Sequence, residues 1–470
     1  MQGSKTESMK TLQTNASIVL DIGKTNVKLS LLDAQANTLA EQRCPNNIVQ
    51  DGIYPHHDTD RIWAWMLRVF SEFSRIATVT AIIPVTHGAT AALVNDKGLV
   101  LPVLDYESDL PEQENSKYRP LRPPYQQSYS PDLPAGLNLA RQLAWLESTY
   151  PSDFARASHI LMYPQYWAWR LSGIAATEVS SLGCHTDLWD TNRQQYSSLT
   201  EQKGWVALFP PIQKAWTRLG KIRPTLAMET GLPETCQIVC GIHDSNASLL
   251  RHLHNAGTNK KCTVLSTGTW MIAAALGASQ ACLDEDADML ANTNILGEAV
   301  SCMRFMGGRE FATLAGQTPA TCTPSDIDKL IRQETFALPC FAESGGPFSG
   351  QLARIEGQAP DNMQERYALA TLYCVLMTDY CLNKLGSEGD IIVEGSFTNN
   401  PYFASLLASL RPQQNIKLSN DTSGTTYGAW MLHHWEQLPN TNDSSAVVSE
   451  LEPKGWSAYR DKWLNLVTAR

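Results

Sequence analysis

Ser17-Ile18-Val19-Leu20-Asp21-Ile22-Gly23-Lys24-Thr25-Asn26-Val27-Lys28-Leu29-Ser30-Leu31 reads as two strands and the turn between them. Ser17 to Ile22 is a short, nearly continuous apolar run, as a strand buried on both faces requires. Gly23 to Asn26 supplies turn chemistry. Val27 to Leu31 alternates apolar and polar, as a half-buried strand does. A tight turn of Gly and hydroxyl residues exposes backbone N–H groups that hold phosphate oxygens, which makes Gly23, Lys24, Thr25 and Asn26 candidate phosphate ligands. Asp21, at the strand end, is placed to orient magnesium or its waters. Taken alone, the same residues also describe a plain hairpin with an exposed Asp and a solvated Lys24.

The strand-then-small-turn pattern recurs. Cys262-Thr263-Val264-Leu265 runs into Ser266-Thr267-Gly268-Thr269-Trp270, and Asp390-Ile391-Ile392-Val393-Glu394 runs into Gly395-Ser396. The likeness of Asp21-Ile22-Gly23-Lys24-Thr25 to Ser266-Thr267-Gly268-Thr269-Trp270 hints at duplicated halves facing a shared cleft. Between them, Ile238-Val239-Cys240-Gly241-Ile242-His243-Asp244 is a strand that ends in polar residues. A carboxylate there can accept a proton from a hydroxyl, and such general-base help is worth roughly 10²–10⁴ in rate. The alternative for His243-Asp244 is a satisfied structural pair. Adjacent strand residues point to opposite faces, so the two are not expected to meet one hydroxyl.

The chain has 470 residues, beyond the roughly 250–300 at which a single core stops growing, so two domains are expected. A net charge of −10 with no dense basic run argues against nucleic acid. The eleven cysteines have no metal-type pairing of spacings, no run of apolar residues is long enough to span a membrane, and residues 1–15 lack the core of a signal peptide. A cytoplasmic protein is expected. Further strands are predicted at 79–84 and 91–94, helices at 137–149, 163–172 and 365–386, and a long irregular loop over 105–136. The polar stretch Arg251 to Gly257 suggests a domain boundary near 246–258.

The order of these blocks, with Gly395-Ser396-Phe397-Thr398-Asn399-Asn400 closing the series, resembles that of the FGGY carbohydrate kinases. Residues 140–190 are similar to that family's helical stretch, and 422–432 to its closing helix, so the resemblance covers about 15–435. It is closest to the L-fuculose and L-rhamnulose kinase branch. It implies an α/β chain of two actin-like (ribonuclease-H-like) domains: 15–246 for the sugar and 247–435 for the nucleotide. A disordered 1–14 and a helical extension at 436–470 flank them. It implies ATP and Mg2+ as cofactors and a small sugar as the partner, phosphorylated on a primary hydroxyl. A homodimer is compatible with it. Asp244 would be the base, and Gly23, Lys24, Thr25, Asn26, Gly268 and Thr269 would meet phosphate. Gly395, Ser396, Phe397 and Asn400 would meet the nucleotide, while His87, Thr90 and His243 would meet the sugar and Asp21 the metal. Asp21 and Asp244 are expected across one interdomain cleft. Two departures stand out. Thr90 replaces an expected Asp, which suits a polyol or another acyclic sugar. Phe397 interrupts a glycine-rich adenosine loop, which suits a protein that binds without catalysis.

Overall fold

The computed structural model describes residues 14–256, 261–316, 320–343, 345–419, 424–438 and 447–469. The opening stretch forms β1 (Asn15–Ile22) and β2 (Asn26–Asp33), an antiparallel hairpin. Its apolar run is continuous because both faces are covered. Ile18, Leu20 and Ile22 pack into one core cluster and Val19 into another. Strands β3 (Thr38–Pro45), β4 (Thr78–Thr86), β5 (Arg218–Lys221), β6 (Gln237–Val239) and β7 (Ile242–His243) complete this sheet. Its order is β5-β6-β4-β1-β2-β3, with β7 also beside β4.

The second sheet comprises β8 (Cys262–Thr267), β9 (Met271–Leu276), β10 (Met289–Thr293), β11 (Ala299–Phe305), β12 (Asp390–Gly395) and β13 (Ile416–Leu418). Its order is β10-β11-β9-β8-β12-β13. Setting β8 against β1 shows the repeat. Each pairs antiparallel with the next strand of its hairpin and parallel with a later strand, β12 or β4. The hint of duplication in the two Gly-Thr turns is therefore a property of the whole topology, and the two halves are actin-like.

The strand expected at 91–94 forms (Ala91–Asn95), but in a small separate sheet with Gly98–Leu99 and His159–Met162. The predicted helices are found at Leu139–Thr149, Tyr163–Ser172 and Met363–Lys384. The stretch 105–136 contains short helical turns, such as Leu110–Glu114 and Tyr125–Ser128. It also bridges the halves. The Tyr125 hydroxyl donates to the Met289 carbonyl at 2.8 Å, and the Ala291 N–H donates to the Tyr129 carbonyl at 3.1 Å.

Of the stretch read as a domain boundary, residues 246–256 belong to helix α1 (Asp244–Ala256), and 257–258 lie outside the described residues. Ala247 and Leu250 pack against the first sheet, Leu249 against the second, and Leu253 against both. Helix α2 (Gly307–Ala315) lies at the second hairpin. Helix α3 (Gly424–His434) also joins the first sheet's core through Ala429, Trp430 and Met431. The C-terminal helix α4 (Trp456–Thr468) buries Trp456, Tyr459 and Trp463 in the core of the second half. The N-terminal segment expected to be disordered lies, apart from Thr14, outside the described residues. Among the described residues no helix is long and apolar enough to cross a membrane.

Candidate active site

The carboxyl edge of the first sheet brings three predicted residues together. On β4, Val85 is flanked by Asp21 of β1 on one side and Ile242 of β7 on the other. Asp244 therefore follows one residue beyond the strand, and His87 one residue beyond β4. Asp21 and Asp244 stand on one sheet edge, not on opposite walls of a cleft between the halves. They are near enough that the Asp244 charge contributes to raising the Asp21 carboxyl. Burial is the larger cause, Lys28 opposes it, and the result is about 6. Lys28, opposite Asp21 on β2, places its ammonium 3.4 Å from Asp21 Oδ2 and donates to Thr426 of α3 at 2.6 Å.

The expectation that His243 and Asp244 diverge is overturned. It assumed a strand through both, but β7 ends at His243 and α1 begins at Asp244. The change of backbone brings His243 Nε2 to 3.2 Å from Asp244 Oδ1. The same oxygen accepts the Ser245 N–H at 2.6 Å and the Ser245 hydroxyl at 3.2 Å. Asp244 keeps 32% of its side chain exposed, whereas His243 keeps 5%. Burial raises the Asp244 carboxyl above its ordinary value, against the opposing influence of His87 and Ser245. Burial also lowers His243 to about 4, so it is neutral at neutral pH.

His87 is buried and likewise lowered to about 4, chiefly by burial. Its Nδ1 lies 3.0 Å from the Gly88 carbonyl and 3.3 Å from the Thr90 hydroxyl, while Nε2 has no partner among the described residues. Thr90 is 1% exposed, and its hydroxyl donates to the Gly88 carbonyl at 3.1 Å. It stands behind His87 and holds the turn.

In the first hairpin turn the Gly23 N–H donates to the Asn26 carbonyl at 2.9 Å, and Asn46 donates to the Gly23 carbonyl at 2.8 Å. Asn26 donates to the Thr25 hydroxyl at 3.1 Å. Lys24, read as a phosphate cation or a solvated lysine, is held by acidic partners. Its ammonium pairs with Asp105 and with Glu107 at 3.2 Å, and lies 4.7 Å from the Tyr106 ring centre. Asp105 and Tyr106 were not legible as site residues. Tyr106 lies with its ring 5.3 Å from that of His87, and its hydroxyl is pushed up by burial and by the charges of Glu107 and Asp244.

In the second half, a cavity of about 720 Å³ is lined by Gly268, Thr269, Arg309, Tyr367, Ser396 and Phe397, among others. Gly268 turns the hairpin, its N–H donating to the Trp270 carbonyl at 3.0 Å. Gly308 of α2 lies so close behind that an added Cβ would sit 2.1 Å from the Gly268 carbonyl oxygen. Gly395 has φ +86° and would place a Cβ 2.0 Å from the Thr267 carbonyl oxygen, so only glycine fits. Phe397 is buried in the core, edge-on to Phe311 at 5.2 Å and Phe403 at 5.1 Å. Asn400 also lines the cavity, but its amide donates to Thr371 at 3.0 Å and its carbonyl accepts the N–H groups of Tyr402 and Phe403, each at 3.1 Å. Arg309 was missed by sequence reasoning, since its helix carries no signal beyond an ordinary amphipathic pattern.

Among the described residues no group of three or more His, Cys, Asp or Glu forms a ready metal cluster. Magnesium bound with a nucleotide needs only one or two carboxylates. Asp21, largely buried and left under-compensated by a single lysine at 3.4 Å, fits that part.

Residues 120–250 match the FGGY family of carbohydrate kinases, N-terminal domain, and residues 259–441 match carbohydrate kinase FGGY, C-terminal domain. The crystal structure of a carbohydrate kinase from Novosphingobium aromaticivorans is 37% identical, with TM-score 0.89 over 97% of this chain and 99% of that one. The ligand-bound xylulose kinase from Lactobacillus acidophilus is 15% identical, with TM-score 0.77 over 97% of this chain and 98% of that one, a likeness of fold. The L-fuculokinase of Salmonella typhi is 26% identical over 265 residues, 54% of this chain. That match spans about half of the curated relative, 55% of its length. Two family domains in order, and a 37% identical relative aligned along nearly its whole length, show that the chain belongs to the FGGY family of carbohydrate kinases.

Proposed function

We propose that the chain transfers the γ-phosphoryl group of ATP to a primary hydroxyl of a small sugar, a ketose of the L-fuculose or L-rhamnulose kind. The observation that carries this reading is a division of labour between duplicated halves. Asp21, His87 and Asp244 meet at the edge of the first sheet, whereas the corresponding edge of the second opens on a cavity large enough for a nucleotide. Asp244 accepts the hydroxyl proton as that oxygen bonds to the γ-phosphorus. The bond from phosphorus to the ADP oxygen breaks, ADP departs, and Asp244 returns its proton to water. Gly23, Thr25 and Asn26 present the first turn to the transferring phosphate, and Gly268 and Thr269 the second. Asp21 would hold magnesium together with the nucleotide, and the ion would supply positive charge at the transferring phosphate. Positioning and charge are the main contributions in such reactions.

His87 and Tyr106 line the sugar side. Gly395, Ser396, Phe397 and Asn400 shape the nucleotide side, where Phe397 offers an edge from the core instead of a free stacking face. Ten of the eleven free thiols are buried, as suits a reducing cytoplasm. A polyol or acyclic sugar is the second reading, favoured by Thr90, whose hydroxyl is occupied by the Gly88 carbonyl and brings no carboxylate to the sugar. ADP release measured across ketoses and polyols tests both. Turnover is expected to be highest with a ketose. Turnover with polyols alone would establish the second reading, and none with any acceptor would overturn the kinase.

A further inference from the structure

Asp244 Oδ1 accepts two hydrogen bonds from Ser245 and has His243 Nε2 3.2 Å away, and the residues behind His243 decide which ring nitrogen bears the proton. The Ser180 carbonyl, which only accepts, lies 3.3 Å from Asn246 Nδ2. The Asn246 amide must therefore present its NH₂ there, because the opposite orientation would set two oxygens against each other. The same NH₂ lies 3.3 Å from His243 Nδ1. Nδ1 is thereby the acceptor, and the neutral ring carries its proton on Nε2. A bare Nε2 would also be untenable at 3.2 Å from a carboxylate oxygen. Cys184 Sγ, at 3.9 Å, also lies within weak hydrogen-bonding reach of Nε2. The arrangement is anchored further back. The His243 N–H donates to the Ser180 hydroxyl at 3.2 Å, and that hydroxyl donates to the buried Glu178 carboxyl at 2.5 Å. Gly88 makes room, since a Cβ there would sit 2.8 Å from His243 Nε2.

We propose that His243, fixed in its Nε2–H tautomer by Asn246, is a positioning residue that holds Oδ1 of Asp244 and leaves Oδ2 as the oxygen that receives the sugar proton. The inference rests on Asp244 being the base, but its first test does not. In uniformly ¹⁵N-labelled full-length protein, the His243 side-chain nitrogen shifts report which nitrogen bears the proton. Protonation on Nε2 is expected, and protonation on Nδ1 overturns the proposal whether or not any sugar is turned over.

The second test uses MgATP and the best acceptor of the ketose panel. Asn246→Asp removes the NH₂ and offers only acceptors, so it should move the proton to Nδ1. Turnover should fall roughly 10-fold with KM changed less than about 3-fold, because misalignment of a catalytic group acts on the chemical step. His243→Gln keeps an N–H donor at the reach of Nε2 and should retain most of kcat, whereas His243→Ala should lose about as much as Asn246→Asp. Equal kcat for the Gln and Ala variants, or losses confined to KM, would overturn the proposal. Loss of activity in Asp244→Asn, alongside unchanged activity in His243→Ala, would leave the kinase reading intact and defeat this one alone.

Discussion

The two Gly-Thr hairpin turns occupy equivalent places in duplicated sheets, yet their surroundings differ. The first is tied down at its base, with Thr25 and Asn26 left exposed. Its lysine is held by Asp105 and Glu107 from the long loop, and its glycine carbonyl is bonded to Asn46. The second is open on a cavity and pressed from behind by Gly308. Titratable side chains therefore crowd the first turn, whereas the second borders the cavity of about 720 Å³. Duplicated topology fixes where a site forms, and the residues beyond the strand ends decide what it does.

Substitutions at the glycines sharpen that contrast most. Gly308→Ala would force its Cβ against the Gly268 carbonyl oxygen at 2.1 Å. It should cost about 4 kcal/mol or more in chemical denaturation, at the upper end of single-residue effects. Gly23→Ala meets only the Asn26 carbonyl, at 3.2 Å, and should cost about 1 kcal/mol. Equal losses at the two positions would break the comparison. Phe397→Ala comes next, with about 3–4 kcal/mol lost from the second half's core. Calorimetry with an ATP analogue should show weaker binding. Tighter binding would mean that Phe397 obstructs the nucleotide.

On the first half, Glu178 is fully buried beneath Ser180, and burial raises its carboxyl to about 7. The unfolded chain gives up that proton in the ordinary Glu range, so the folded state binds more protons between about pH 4.5 and 7. Stability from this group is greatest below that window and falls as pH rises through it. Glu178→Gln removes the cost, so its stability relative to wild type should improve by on the order of 3 kcal/mol between pH 4.5 and 8. Denaturation midpoints at several pH values check this, and a difference independent of pH would contradict it. The smallest effect is expected from Lys24→Ala. Its partly buried pairs with Asp105 and Glu107 should be worth about 1 kcal/mol or less, and less again at high salt.

Much of this frame was legible in the sequence because strands buried on both faces leave unmistakable apolar runs, as at Ser17–Ile22 and Asp390–Glu394. The break before Asp244 was not. Just ahead of it, Gly241 sits at φ +90°, where a Cβ would lie 2.5 Å from the Pro84 carbonyl oxygen, a contact between segments far apart in sequence. The polar stretch read as a boundary also makes contacts that the sequence did not reveal. Arg251 and His252 of α1 pair with Glu394 of the second sheet, His252 Nε2 lying 2.9 Å from Glu394 Oε1. Asp105 and Tyr106 were hidden because an irregular loop has no periodicity from which to read its folded position.

The central claim is that Asp244 takes the proton from the acceptor hydroxyl. The most direct measurement is the steady-state kinetics of Asp244→Asn beside wild type, with MgATP and the best acceptor sugar. Asn preserves shape and hydrogen bonding but cannot accept the proton, so kcat should fall about 100-fold or more, at least roughly 3 kcal/mol of barrier, while calorimetric affinity for sugar and nucleotide stays close to wild type. Near-normal kcat in Asp244→Asn would contradict the account.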